Sequence, residues 1–216
     1  GKTTLFNSLS GMVRPTTGSI RLAGEELVGL PADQVVRRGI ARTFQNIRLV
    51  RDLSVAENVM AGVQVRHRPS FWRTLLGTAA FRAEERAIGD RALALLALVG
   101  LADRADRLAG SLPYGDQRRL EIARALATDP RILMLDEPNA GMNPTETDAL
   151  LDLIRRIRDE LGVTVILIAH DIPLVMTLAD RISVLNFGSL IAEGEPAAVR
   201  ADPEVIAAYL GTARHG

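Results

Sequence analysis

Cysteine is absent from all 216 residues, which removes disulfide frameworks, thiolate nucleophiles and cysteine metal sites, and leaves a reducing compartment permitted. Histidine is scarce: His67, His170 and His215 are scattered and suggest no metal cluster. Net charge is also missing. With 26 basic and 26 acidic side chains, no bulk field draws the chain to nucleic acid or to an anionic membrane. The longest apolar runs, "ALALLALVGLA" and "VTVILIA", fall short of the roughly 20 residues a membrane-spanning helix needs, so any membrane role is expected to be peripheral. No charged region, apolar stretch and cleavage site open the chain, and no signal peptide is expected. Neither an internal repeat nor a low-complexity linker is visible.

What is present is a core-forming pattern, with 47% hydrophobic residues. "GKTTLFNSLSGM" carries Leu5, Leu9 and Met12 at helical spacing and ends near Gly11, predicting a helix from the first residues. "GSIRLAGEEL" alternates as a strand closed by a glycine turn, and "RRGIARTFQN" predicts a short strand ending near Phe44 and Gln45. Helices follow in "LSVAENVMAGVQVR", from Phe71 to Val99, and in "LEIARALAT", stopped by Asp129-Pro130. "RILMLDEP" is an apolar run ending on two carboxylates, the pattern of a buried parallel strand whose C-terminal edge carries chemistry. Pro144 to Leu161 predicts a helix, "GVTVILIAHD" a second buried strand, and "DIPLVMTLAD" a helix. "RISVLNFGSLIAEGEP" predicts a hairpin turning at Asn186 to Ser189. Strands alternating with helices around a purely helical stretch indicate an α/β fold, a parallel-sheet core interrupted by a helical subdomain near residues 50–128.

Gly1-Lys2-Thr3-Thr4 is the second half of the phosphate-binding pattern G-x-x-x-x-G-K-[ST]. Gly1 leaves room for a phosphate, Lys2 reaches β/γ oxygens, Thr3 ligates Mg²⁺, and the helix start presents N–H groups to an anion. A solvated lysine at an exposed helix start is the plainer reading of these four residues alone. Asp136, at the end of "ILMLD", can hold Mg²⁺ through water, and Glu137 can polarise an attacking water. His170 ends the next apolar strand and can donate to a γ-phosphate. Gln45 follows "IARTF", where its amide can reach both metal and water. Each has a structural alternative, a cap or a solvated turn; their occurrence together and in this order is what favours nucleotide chemistry.

In this combination the whole chain resembles the nucleotide-binding subunits of ATP-binding cassette (ABC) transporters, which are P-loop nucleoside triphosphatases. GKTT corresponds to the end of Walker A, Gln45 to the Q-loop, "LPYGDQRRLEIARAL" to the signature segment, "ILMLDEP" to Walker B, "NAGMNP" to the D-loop and His170 to the switch histidine. The resemblance implies ATP and Mg²⁺ as cofactors and a head-to-tail dimer in which Pro113, Tyr114, Gly115 and Asp116 close on the triphosphate of a second ABC ATPase subunit. It implies membrane-spanning permease subunits, indirectly a solute-binding protein, no nucleic acid, and a peripheral place on the cytoplasmic face of the cell membrane. "GLPADQVVRRGIARTFQNIRLVRDLSVAENV", "YGDQRRLEIAR", "AGMNPTET" and "DPEVIAAYLG" resemble the ATPases of branched-chain amino acid importers in particular. Importers of amides or urea and some lipid-exporting ATPases share parts of this pattern. Non-transport ABC ATPases, a second class, bring paired cassettes, long coiled coils or basic surfaces that are not seen here; an inactive binding module is a third, and the intact Asp136, Glu137 and His170 argue against it.

Two departures matter. The usual L-S-G-G-Q reads Leu112-Pro113-Tyr114-Gly115-Asp116, and Pro113 offers neither a hydroxyl nor an N–H. The site built on this signature is therefore expected to be the weaker one of an asymmetric heterodimer. Nothing precedes Gly1, so the nucleotide-binding domain, residues 1–216, is expected to be cut within Walker A and, as such, to bind ATP poorly and to be inactive. Phe71, Trp72 and Leu75, in the helical stretch, are candidates for contact with a permease coupling helix, or else for core packing.

Overall fold

The computed structural model describes residues 1–44, 47–65 and 79–210. Its centre is a parallel sheet of β3 (Ile40–Arg42), β4 (Ile132–Asp136) and β5 (Thr164–Ile168), with β4 in the middle. Ile40 pairs with Ile132 and Asp136 with Ile168, so the C-terminal ends of the strands lie side by side. Side chains alternate across a strand, and that parity sorts the core. Ile40, Met134 and Ile168 face one side, where they pack with Phe6 of α1 (Lys2–Leu9), Leu27, and Val35 of α2 (Ala32–Arg37). Ala41, Leu133 and Leu135 face the other side and join a larger cluster.

That larger cluster is helical. Val55, Val59 and Val63 of α3 (Val55–Gln64) meet Ile88, Ala92, Leu95 and Leu96 of α4 (Ala79–Leu98), spaced as one helical stripe. Leu120, Ile122, Ala123 and Leu126 of α5 (Tyr114–Leu126) lie between them and the sheet. At Gly62 the helices α3 and α5 touch: a Cβ there would stand 2.5 Å from the Arg124 carbonyl oxygen. α6 (Pro144–Leu161) closes the cluster with Leu150, Leu153, Ile154 and Ile157. Its start is set by a capping box, Asn143 Oδ1 accepting from Glu146 N at 2.9 Å and Glu146 Oε2 from Asn143 N at 3.0 Å, and its end by Gly162 at φ +64°.

After β5 come α7 (Ile172–Leu178), the antiparallel hairpin β6 (Ile182–Asn186) and β7 (Ser189–Gly194), α8 (Pro196–Ala201) and a short helical turn at Pro203–Val205. The hairpin turns at Asn186 to Ser189 as the sequence predicts. Two expectations change. "GSIRLAGEEL" is not one strand but a hairpin of β1 (Arg21–Leu22) and β2 (Glu25–Glu26) around Ala23-Gly24, whose φ values of +51° and +84° suit a two-residue type I′ turn. β5 is not fully buried: Val165, Ile166 and Leu167 are half-buried, because among the described residues it pairs on one side only, with β4.

Candidate active site

β4 delivers its two carboxylates in different directions. Asp136 shares the parity of Met134 and so lies on the face covered by α1, buried. Glu137 leaves the sheet in a left-handed conformation, φ +46°, at a backbone cost of about 1 kcal/mol or more for an L-residue. Its N–H donates to the Ile168 carbonyl at 2.9 Å and its carbonyl accepts from Ala140 N at 3.1 Å, bonds that hold the strained turn in place. The register that pairs Asp136 with Ile168 also brings the residues after each strand together. His170 Nδ1 accordingly lies 3.6 Å from Glu137 Oε2, with the imidazole largely in solvent and the carboxylate partly shielded.

On the same face, Arg42 at the end of β3 reaches Asp136. Its Nη2 donates to Asp136 Oδ2 at 2.8 Å, and its Nη1 donates to Asn7 Oδ1 at 2.7 Å and to Ser10 Oγ at 3.2 Å, both on or next to α1. Gly1, Thr3 and Thr4 at the start of α1 are exposed and Lys2 is half-exposed. The first N–H groups of a helix have no intrahelical acceptor, so this turn offers donors to an anion. Gly1 also lies against the β6–β7 turn, where a Cβ would come within 2.7 Å of Gly188 Cα.

The segment around Pro113 is built differently. Pro113 is the N-cap of α5 and supplies no side-chain cap. The Tyr114 ring is exposed beside Gly141, a Cβ there coming 3.4 Å from Tyr114 Cε1, and its hydroxyl accepts from Arg118 Nε and Nη2 at 3.1 and 2.9 Å. Asp116 turns inward, its carboxylate held by Arg104 and Arg119. Behind it, Arg118 Nη1 donates to the Phe44 carbonyl at 2.7 Å and pairs with Glu121 at 3.3 Å, while Glu121 Oε1 accepts from Arg48 N at 2.7 Å. Burial pushes the Glu121 carboxyl up from its ordinary value, against the lowering effects of the Arg48 N–H, Arg118 and Arg124. α5 thus grips the chain on both sides of residues 45 and 46.

Asp136 and Glu137 thus end β4, His170 stands beside Glu137, and α1 covers the sheet face that carries Asp136. The family profile described as ABC transporter matches residues 1–140. The chain belongs to the ABC transporter family. A second profile, Branched-chain amino acid ATP-binding cassette transporter, matches residues 189–215. The chain is 50% identical over 213 residues to the high-affinity branched-chain amino acid transport ATP-binding protein BraF of Pseudomonas aeruginosa, covering 99% of this chain and 84% of that one. It is 47% identical, with the same coverage, to the protein of that description called LivG in Escherichia coli. The crystal structure of the ADP conformation of an ATP-binding cassette of an ABC transporter superposes with a TM-score of 0.81 at 29% identity, over 98% of this chain and 84% of that chain.

Within this ABC transporter chain, the fold brings Asp136, Glu137 and His170 to one sheet edge. It turns the Asp116 side chain away from the surface, onto Arg104 and Arg119. Gln45, Phe71, Trp72 and Leu75 lie outside the described residues. Sequence reasoning missed Arg42, although strand parity carried a signal: Arg42 shares the face of Ile40, and Asp136 shares that of Met134. Arg118 and Glu121 had no comparable signal, since a charged i, i+3 pair reads as a solvated helix face. Among the described residues, no helix is long and apolar enough to cross a membrane.

Proposed function

We propose that this chain is the ATP-binding and ATP-hydrolysing subunit of a membrane ABC importer for branched-chain or closely related amino acids. The observation that carries the reading is the Glu137–His170 pair, 3.6 Å apart at the end of β4 and β5. The solute class rests on the 47–50% identity to transport ATP-binding proteins of that description. The domain is read as one nucleotide-binding unit over residues 1–216 with a helical subdomain near 50–128, supported by the single cluster that joins α3, α4 and α5 to β4 and α6.

In this reading Gly1, Lys2, Thr3 and Thr4 bind the phosphates through N–H groups and the Lys2 ammonium. Thr3 and Asp136, with Gln45, would hold Mg²⁺: a hydroxyl, a carboxylate and an amide are its donor class, with substrate phosphates and water completing the shell. The donor set fits a metal that arrives with nucleotide, since among the described residues no group of three or more acidic or histidine side chains would hold one unaided. When bound, the metal neutralises charge on the phosphates. Glu137 orients and polarises the attacking water, and its fixed backbone keeps that carboxylate at the mouth of the sheet. His170 donates a hydrogen bond to the γ-phosphate from the adjacent strand end. The N-terminus of α5 meets the nucleotide of a second ABC ATPase subunit, in a heterodimer where this signature serves the weaker site. Permease subunits anchor the pair peripherally at the cytoplasmic face, fed by a solute-binding protein.

The test is Glu137→Gln in the transporter reconstituted in vesicles. ATP binding should persist while hydrolysis and labelled leucine uptake fall by a factor on the order of 10² or more. Unchanged turnover would refute the role of Glu137, and uptake of a different solute class by the wild-type complex would refute the substrate.

A further inference from the structure

We propose that Arg42 is a positioning residue, a fixed internal counter-ion that holds Asp136 and makes its use as a metal ligand depend on nucleotide; this rests on the reading that Asp136 helps to hold Mg²⁺. The guanidinium donates from Nη2 to Asp136 Oδ2 at 2.8 Å and is anchored through Nη1 on Asn7 Oδ1 at 2.7 Å and Ser10 Oγ at 3.2 Å. The centroids of Phe6 and Phe44 are 5.5 and 5.3 Å from its Cζ. Both side chains of the pair are nearly inaccessible, at 7% and 6%. The cost of burial is visible in Arg42 Nε, which is buried with no hydrogen-bond partner among the described residues.

A buried ion pair contributes little net stability relative to apolar residues of the same size, because desolvation offsets the attraction. Its placement points to another role. Asn7 follows Thr3 by four residues and Ser10 by seven, so the anchors of the guanidinium lie on the helical stripe that begins at Thr3. The cation is thereby fixed between Asn7 and Ser10 on that stripe and Asp136, the carboxylate assigned to the metal. It engages the carboxylate through one oxygen, and a divalent ion approaching Asp136 meets a positive charge already there. In a site shielded from solvent that repulsion is not screened away. A triphosphate brings enough negative charge to outweigh it. Without nucleotide, Arg42 satisfies Asp136; with nucleotide, metal and arginine share it.

Mn²⁺ affinity, read by electron paramagnetic resonance on the full chain with and without ADP, tests this. Arg42→Met should tighten nucleotide-free Mn²⁺ binding roughly tenfold or more, because the competing charge is gone and the buried carboxylate has lost the cation paired with it. With ADP present the gain should be much smaller. Arg42→Lys keeps the charge and should stay within about threefold of wild type. Asp136→Asn distinguishes the two layers: if it leaves Mn²⁺–ADP binding intact, the metal reading of Asp136 falls. If it weakens binding and Arg42→Met does not tighten it, the counter-ion proposal falls. Arg42→Gln serves as the second neutral variant; failure of both neutral variants to fold even with Mn²⁺–ADP would make Arg42 structural and overturn the proposal.

Discussion

Replacing Gly62 by alanine sets two rules against each other in the middle of α3. Helix propensity alone says the change should help, by about 1 kcal/mol. Packing says the opposite. A Cβ on Gly62 would lie 2.5 Å from the Arg124 carbonyl oxygen and 2.8 Å from Ala127 Cβ, and neither is the tip of a side chain that can rotate away. Overpacking of this kind costs about 1–3 kcal/mol, and contact with a backbone oxygen belongs at or above the upper end. The net expectation for Gly62→Ala is a loss of about 1–2 kcal/mol, a fall of roughly 2–8 °C in Tm for a chain of this size. Gly89, in α4, is the control: among the described residues, a Cβ there meets nothing within 4 Å. Gly89→Ala should gain up to about 1 kcal/mol and raise Tm by a few degrees. Circular dichroism melts of both variants beside wild type read the two signs. Equal stabilisation by both would refute the α3–α5 contact, and with it the close seating of α5 under the sheet.

Two further outcomes follow from capping and burial. Asn143→Ala removes one half of the α6 capping box and should cost about 1 kcal/mol in urea melts, while Asn143→Asp should cost far less; a neutral Ala variant would contradict the observed cap. Glu121 is held above its ordinary carboxylate range by burial, so the folded state favours its protonated form. Its contribution is fully present below the unfolded value of about 4.3 and is lost as pH rises through the folded one. The stability of Glu121→Gln relative to wild type should therefore rise with pH above about 4 and then level off, and a flat difference across pH 4–8 would contradict the burial argument.

Much of this fold was legible wherever a local signal and the tertiary environment agree. α6 runs from Pro144 to Leu161 as expected, because Asn143-Pro144 starts it, Gly162 ends it at positive φ, and Leu150, Leu153, Ile154 and Ile157 mark its buried stripe. "ILMLD" is β4 for a similar reason, an apolar run long enough for a strand and too short for a helix. The Ala23-Gly24 turn was hidden because alanine is not a residue that advertises positive φ. Burial of β5 was overstated because an apolar run reports what a strand wants covered, not how many neighbours it finds. Asp136, Glu137 and His170, which the sequence places at the ends of two apolar runs, share one sheet edge because β4 and β5 pair in parallel. The direction of the Asp116 side chain was not, because the arginines that draw it inward lie at positions 104 and 119 and read from sequence as surface charges.

The residues that sequence reading missed share one location. Arg42 ends β3, Phe44 offers its carbonyl to Arg118, and Arg48 offers its N–H to Glu121, so this stretch is held, at these three residues, from both sides of the sheet. On one face Arg42 ties it to α1 and Asp136; on the other, Arg118 and Glu121 tie it to α5, whose N-terminus carries the signature segment. Farther on, Asn58 fixes the next turn, its Oδ1 accepting from Val50 N at 3.0 Å and its Nδ2 donating to the Val50 carbonyl at 3.0 Å. Each tie is a buried or half-buried polar contact that costs more to leave unmade than it contributes when made. A shift of α5 against the sheet cannot be absorbed by loosening one of them at little cost. It must carry Phe44 and Arg48 with it, or break their bonds to Arg118 and Glu121. Phe44 and Arg48 are in this way tied to the helix that carries the signature segment, and Arg42 is tied to Asp136 at the carboxylate edge of the sheet.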